Sequence, residues 1–303
     1  MLRFQPPGFT EKSFQSSLGR VVYYTQGSKP WKVDNISNQS NTLSTSTLIF
    51  LHSFGGGASA YEWSKVYPAF ANTHQVIAAD LIGWGNSEHP IRNYQIDDYL
   101  LVIEELIKQV SSGSVTVIAS SLTAGFCIRL ATQKPELFRS LYLTCPSGFS
   151  DFAEGAERRI PLQIINAPLV DKLIYSIGAT SDFAVRSFLE RFLFAQPNRI
   201  SNEIVAAYLE SAQKPNAEYS ALAFLRGDLY FDLSLYLPQL HIPTAIAWGE
   251  KSQFVSTSLG RRLAAINPQA IKCFDVIPDT GVLPHLEQPS VITGLLSDWL
   301  QKL

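Results

Sequence analysis

A doubly wound, mostly parallel α/β sheet with a helical block inserted late in the chain is the fold class that this sequence predicts. Three observations predict it. Six short runs rich in β-branched or aromatic residues recur from Thr47 onward: TLIFLHS, HQVIAADL, VTVIAS, SLYLTCP, TAIAWG and IKCFDVIP. Buried parallel strands have this composition, because both faces are covered and polar alternation is lost. Between the second and third runs lies IDDYLLVIEELIKQV, with Ile96, Tyr99, Leu100, Ile103, Leu106, Ile107 and Val110 at helical spacing. This is the pattern of an amphipathic crossover helix. The strand rhythm then stops after Pro146 and resumes only at Thr244. Strands that alternate with helices imply parallel pairing, and an interruption between two strands implies an insertion over the strand ends.

Upstream of these runs, FQSSLGRVVYYTQG (Phe14 to Gly27) reads as two strands about Leu18-Gly19, an antiparallel hairpin at the sheet edge. SKPWKVDNISNQSNTLSTS (Ser28 to Ser46) is rich in Ser, Asn and Lys and reads as a surface loop. The interruption reads as helices, among them SNEIVAAYLESA with Ser201 as its N-cap and Glu203 in its first turn. Of its aromatic residues Phe183, Phe188, Phe192, Phe194, Tyr208, Phe224, Tyr230 and Phe231, most are expected to pack it onto the sheet and the rest to line an apolar pocket. The expected organisation is an N-terminal part of the core over 1–150, a helical cap over 151–237 and a C-terminal part of the core over 238–303.

Composition narrows the function classes. With 303 residues, 46% of them hydrophobic, the chain can bury a large core without staples. A formal charge of −2 and the absence of a basic run give no electrostatic footprint for nucleic acid. Cys127, Cys145 and Cys273 are three, widely spaced and set in apolar runs, as buried reduced thiols are, which suggests a reducing, cytoplasmic setting. No apolar run approaches membrane-spanning length, and the first residues lack the apolar region of a signal peptide. No metal or cofactor is expected.

The chemistry is expected at VTVIASSLTAGFCIRLA, Val115 to Ala131, where a strand runs into small and hydroxyl residues and leaves as a helix. A serine held at such a corner, Ser121, projects its hydroxyl from the sheet. The N–H groups that follow it open a helix, where they can stabilise an oxyanion. The flanks that are glycine in the G-x-S-x-G form of this turn are Ala119 and Thr123.

Together with LHSFGGGASAYEW from Leu51, DLIGWGNSEHP from Asp80, PHLEQP from Pro284 and the late DWL, this elbow resembles the α/β-hydrolase superfamily, in its esterase, lipase and dehalogenase-like branch with a helical cap. The resemblance runs from about Gly19 to the end. It implies an α/β-hydrolase fold, Ser121 in the nucleophile position, and oxyanion donors at the backbone N–H groups of Phe54 and Leu122. It also locates departures. Ser53 stands where the family usually has glycine. In WGEKSQFV, Ser252 stands where the acid belongs, and in GVLPHLEQP, Val282 stands where the catalytic histidine belongs. His285 matches a second, non-catalytic histidine that packs at the start of the last helix, against Glu287.

Valine accepts no proton, and a serine hydroxyl is a poor nucleophile unless a base lies within hydrogen-bond reach. The reading that follows is a binding protein or vestigial hydrolase for an apolar or ester-like small molecule, or for a protein partner. The alternative is an active serine hydrolase on carboxylic esters or lipids, with His285 as substitute base after a slip of the loop TGVLP. Glu250 or Asp151 would then supply the acid, and His52 and Cys145 are expected to be structural.

Overall fold

A computed structural model describes residues 4–31, 46–154 and 181–303. Residues 32–45 of the expected surface loop, and residues 155–180 of the expected cap, lie outside the described residues. Among the described residues eight strands form one sheet: β1 (Phe9–Ser16), β2 (Gly19–Gln26), β3 (Thr47–Leu51), β4 (Gln75–Asp80), β5 (Val115–Ser120), β6 (Phe138–Thr144), β7 (Thr244–Gly249) and β8 (Ile271–Ile277). Their order is β1-β2-β4-β3-β5-β6-β7-β8. The β1–β2 and β2–β4 pairs are antiparallel, and every pair from β4 to β8 is parallel. The hairpin begins five residues earlier than the sequence suggested, at Phe9. β1 is an edge strand whose middle residues are exposed and polar, so it carries little of the apolar signal that marks the other strands.

The parallel runs β3 to β7 are strands because their side chains are buried almost throughout on both faces, whereas β8, at the sheet edge, is only partly buried. On one face Ile49, Leu51, Ile77, Val117 and Ala119 pack with α1 (Ile96–Val110), α2 (Ser121–Gln133) and the helical block. On the other, Leu48, Phe50, Val76, Ala78 and Ile118 pack with Trp63, Tyr67, Ile292, Leu296 and Trp299. α1 buries the stripe Tyr99, Leu100, Val102, Ile103, Leu106 and Ile107, and starts in a capping box between Gln95 and Asp98.

Between β6 and β7 the described residues form α3 (Asp182–Phe188), a π-helical turn (Leu189–Leu193), α4 (Asn202–Ala212) and α5 (Ala217–Arg226). Ser201 caps α4, its Oγ accepting the Ile204 N–H at 3.2 Å. α5 stops at Gly227, whose φ of 81° suits glycine. The block rests on the loops that leave the strand ends. Ser211 Oγ accepts the Gly85 N–H at 3.1 Å, and Ser220 Oγ donates to the Gly83 carbonyl at 2.6 Å. The chain closes with α6 (Thr257–Ile266), the short α7 (Pro284–Glu287) and α8 (Pro289–Gln301).

Candidate active site

β5 delivers Ser121 to the carboxyl edge of the sheet, and the backbone turns there in a way few residues adopt. Ser121 has φ 55°, in the left-handed region, while Ser120 before it is extended. A non-glycine residue held at positive φ carries about 1–2 kcal/mol of strain, and such strain persists where the surroundings over-determine it. Ser121 is also buried, 4% exposed. α2 begins at this corner without a side-chain cap, so its first N–H groups, Leu122 among them, have neither an intrahelical partner nor a capping oxygen. Leu51 pairs with Ala119, so the loop after β3 leaves the same edge beside the elbow. The Phe54 N–H there makes no hydrogen bond among the described residues. The two N–H groups expected from sequence as oxyanion donors thus have no hydrogen-bond acceptor among the described residues.

Two hydroxyls beside Ser121, one of them at the flank that Thr123 occupies in place of glycine, lack partners. Ser120 Oγ and Thr123 Oγ1 are buried and make no hydrogen bond. The close approach falls instead at Gly125, where a Cβ would press on the Ser147 carbonyl and the Phe231 ring.

Ser252 and Val282 follow β7 and β8, the strands that continue the sheet beyond β6, and so reach the same edge of the sheet. Neither brings a titratable group. Ser252 Oγ is buried without a hydrogen-bond partner, and its N–H donates to the Gly249 carbonyl at 3.1 Å. Val282 is buried, and its N–H donates at 3.1 Å to the Leu193 carbonyl of the helical block.

A slip of the loop that would carry His285 over Ser121 is not what the chain adopts. The His285 ring is fully buried and stacks on Trp63, with centroids 3.8 Å apart and planes at 14°. Its Nδ1 lies 3.3 Å from Thr144 Oγ1, and its Nε2 lies 3.8 Å from Glu62 Oε2, beyond hydrogen-bond length. No hydrogen bond joins it to Ser121 among the described residues. Burial holds its pKa below the ordinary histidine value, against the opposing pull of Glu62. Nor does it pack against Glu287, whose carboxylate turns the other way. Glu287 accepts the N–H groups of Gly281 at 2.5 Å, Ala195 at 3.0 Å and Gln196 at 3.2 Å, and the Arg199 guanidinium at 3.2 Å.

The other candidates for proton transfer are committed to the scaffold. His52 Nε2 accepts the Leu81 N–H at 3.0 Å and its Nδ1 lies 2.7 Å from the Ser53 carbonyl, which occupies both nitrogens. Asp151 accepts from Ser147 Oγ at 2.6 Å, Leu233 N at 2.9 Å and Gly148 N at 3.0 Å, and burial raises its carboxyl above the ordinary value. Glu250 accepts the Asp279 N–H at 3.1 Å in an exposed loop. Cys145 is buried at φ 45°, and burial pushes its thiol up to about 12 even though it accepts the Gly249 N–H at 3.3 Å.

Sequence reasoning missed Glu62. Its buried carboxylate accepts the Ser53 N–H at 2.7 Å, Ser53 Oγ at 2.8 Å and the Tyr208 hydroxyl of α4 at 2.7 Å. Burial alone would raise its pKa, but His285, His52 and the Ser53 N–H outweigh that and hold it below the ordinary value. Glu62 thus ties the residue before Phe54 to the helical block. The one signal in the sequence is the serine at 53, with a carboxylate nine residues on that could accept from it. Gly57, at φ 92° in the same loop, lies so close to α4 that a Cβ would strike the Tyr208 carbonyl.

A sequence profile of the α/β hydrolase fold matches residues 46–289, which is most of the chain. The chain belongs to the α/β-hydrolase family. Among relatives of this α/β hydrolase, an uncharacterized hydrolase, YugF, of Bacillus subtilis is 25% identical over 261 residues, covering 84% of this chain and 90% of that one. Lipase 3 of Moraxella sp. is 22% identical over 280 residues, covering 91% and 80%. In three dimensions the chain superposes on carboxylesterase CesB of Bacillus subtilis with a TM-score of 0.75 at 15% identity, covering 99% of this chain and 94% of that one. At that identity the likeness shows the shared fold. Among the described residues no group of three or more His, Cys, Asp or Glu is placed to hold a metal ion, and no helix is long and apolar enough to cross a membrane.

Proposed function

We propose that this α/β hydrolase keeps the nucleophile elbow and the oxyanion donors but has lost proton transfer, and that it binds an apolar or ester-like small molecule with at most vestigial hydrolysis. The observation that carries the reading is the pair Ser252 and Val282 at the acid and base positions, joined to the burial of His285 against Trp63 and Glu62. With no base in reach, the Ser121 hydroxyl stays protonated at neutral pH. A carbonyl bound beside it would be polarised by the Phe54 and Leu122 N–H groups without being attacked. In triad enzymes the loss of serine or histidine costs on the order of 10⁶ in kcat, and the oxyanion hole with binding retains about 10³–10⁴ over water.

The division into core parts over 1–150 and 238–303 and a cap over 151–237 belongs to the same reading: the described helices of the block lie over the strand ends where the ligand would enter. The absence of a titratable side chain at 252 and 282 also favours binding over a relocated triad, because a relocated histidine would have to be one of five, and both His52 and His285 are committed elsewhere. Hydrolysis of p-nitrophenyl butyrate tests the proposal. The expected rate is within about 10⁴ of the uncatalysed one and no more than tenfold lower in Ser121→Ala. A turnover of about 1 s⁻¹ or faster that disappears in Ser121→Ala would overturn it.

A further inference from the structure

A cavity of about 450 Å³ opens beside the elbow, between the loop after β6, the loop and first turn that follow β7, and the π-helical turn of the block. Ser121 is not part of its lining, although the lining residue Ser147 donates its N–H to the Ser121 carbonyl at 3.4 Å. The volume is about three times the 150 Å³ that accepts a single benzene in an apolar core, and so suits two or three fused rings.

Aromatic rings form much of the wall. Phe149 and Tyr230 stack with centroids 5.2 Å apart, Phe192 and Phe254 stack at 5.8 Å, and Phe149 meets Phe254 at 6.0 Å. Phe149 is set there by backbone geometry, at φ 64° with an extended-type bridge to Phe231. Ring faces and edges exposed to a cavity favour a planar aromatic guest, which gains dispersion and quadrupole contacts that an aliphatic chain does not.

The charges at the cavity are already spoken for. Asp151 spends both carboxylate oxygens on Ser147, Gly148 and Leu233. Arg262 is held by Glu154 through two bonds of 2.9 and 3.1 Å and stacks 4.1 Å over Phe152. No other cation lines the cavity among the described residues, so an anionic head would meet two carboxylates and one neutralised guanidinium. The Gln253 amide lines the cavity, as does the Ser258 hydroxyl, which shares a 2.8 Å hydrogen bond with Ser256 Oγ, and both can meet a neutral polar substituent.

We infer that this cavity is a binding site for an uncharged, planar aromatic molecule, held on the β6–β7 side of the elbow and out of line with the Ser121 hydroxyl. The inference goes beyond the binding reading above, since this cavity lies apart from the position beside the Ser121 hydroxyl.

The test is fluorescence titration of the full chain with N-phenyl-1-naphthylamine, a neutral aromatic probe, and with its anionic relative 1-anilinonaphthalene-8-sulfonate. Saturable binding of the neutral probe is expected, at least tenfold tighter than the sulfonate. Leu259→Trp, which fills the cavity, and Ser258→Trp, at an exposed position on its rim, should each weaken the neutral probe at least tenfold, while Ser121→Ala leaves it unchanged. Near-ultraviolet circular dichroism verifies that the variants are folded. No saturable binding overturns the inference, and so does equal affinity for the sulfonate. If the neutral probe binds and both tryptophan variants bind it unchanged, the site is elsewhere: this inference falls and the binding reading stands. Failure of the binding reading is seen separately, as Ser121-dependent ester turnover.

Discussion

Replacing Glu287 with alanine should unfasten the helical block from the loop that carries Val282. The Glu287 side chain is fully buried and accepts from Gly281, Ala195, Gln196 and Arg199. Alanine leaves three backbone N–H groups without an acceptor. An orphaned buried donor costs about 1–3 kcal/mol. Gly281 is buried and should bear that in full, whereas Ala195 and Gln196 are half-buried and recover part of it from water. Arg199 is 26% exposed and resolvates readily. The total comes to about 3–5 kcal/mol, or roughly 6–10 °C in Tm for a chain of this size. Urea denaturation of wild type, Glu287→Ala and Glu287→Gln would measure it, with amide exchange at 195, 196 and 281 as the local readout. Glu287→Gln keeps one acceptor oxygen and should lose about half as much. A Glu287→Ala stability within about 1 kcal/mol of wild type would refute the view that this carboxylate holds block and loop together.

Ser121→Gly should relieve the positive-φ strain and raise stability by about 0.5–1 kcal/mol after the entropy of the added glycine is deducted, which thermal denaturation would read. A loss of stability would show that the hydroxyl holds the corner in place. Val282→His with Ser252→Asp should raise Ser121-dependent hydrolysis of p-nitrophenyl butyrate at least about 10²-fold, the range general-base catalysis supplies. A folded double variant with unchanged activity would mean that the elbow is obstructed as well as unassisted. Stability should fall as pH drops below about 6.5. Burial depresses His74, His89 and His285 in the folded chain, so the unfolded chain takes up protons first, at up to about 1.4 kcal/mol per pH unit for each group. Asp151, raised by burial, works in the opposite direction at lower pH. A flat or rising stability between pH 6.5 and 5 in urea denaturation would contradict these assignments.

Local signals in the sequence were read where one element decides the outcome. The parallel strands, the buried stripe of α1, the Ser201 cap and the corner at Ser121 each depend on neighbours a few positions away. What escaped depends on distant pairs. Glu62 meets Tyr208 across 146 positions, and Glu287 meets Ala195 across 92, and no periodicity announces either. His285 shows the same limit at the candidate site. Its segment is legible in the sequence, but its ring direction is set by Trp63, Thr144 and Glu62, which reach it only through the folded sheet. The cavity, too, is assembled from two loops and the helical block, so its aromatic residues appear in sequence only as scattered core candidates.

The central claim is that the Ser121 hydroxyl is correctly placed but not activated. Treatment with a fluorophosphonate probe, followed by mass spectrometry of the adducts and with Ser121→Ala as control, tests it most directly, because rapid phosphonylation requires a serine hydroxyl activated by a general base. No adduct at Ser121 is expected on the timescale at which serine hydrolases label completely. Rapid labelling confined to Ser121 would contradict the account and show that a base reaches it.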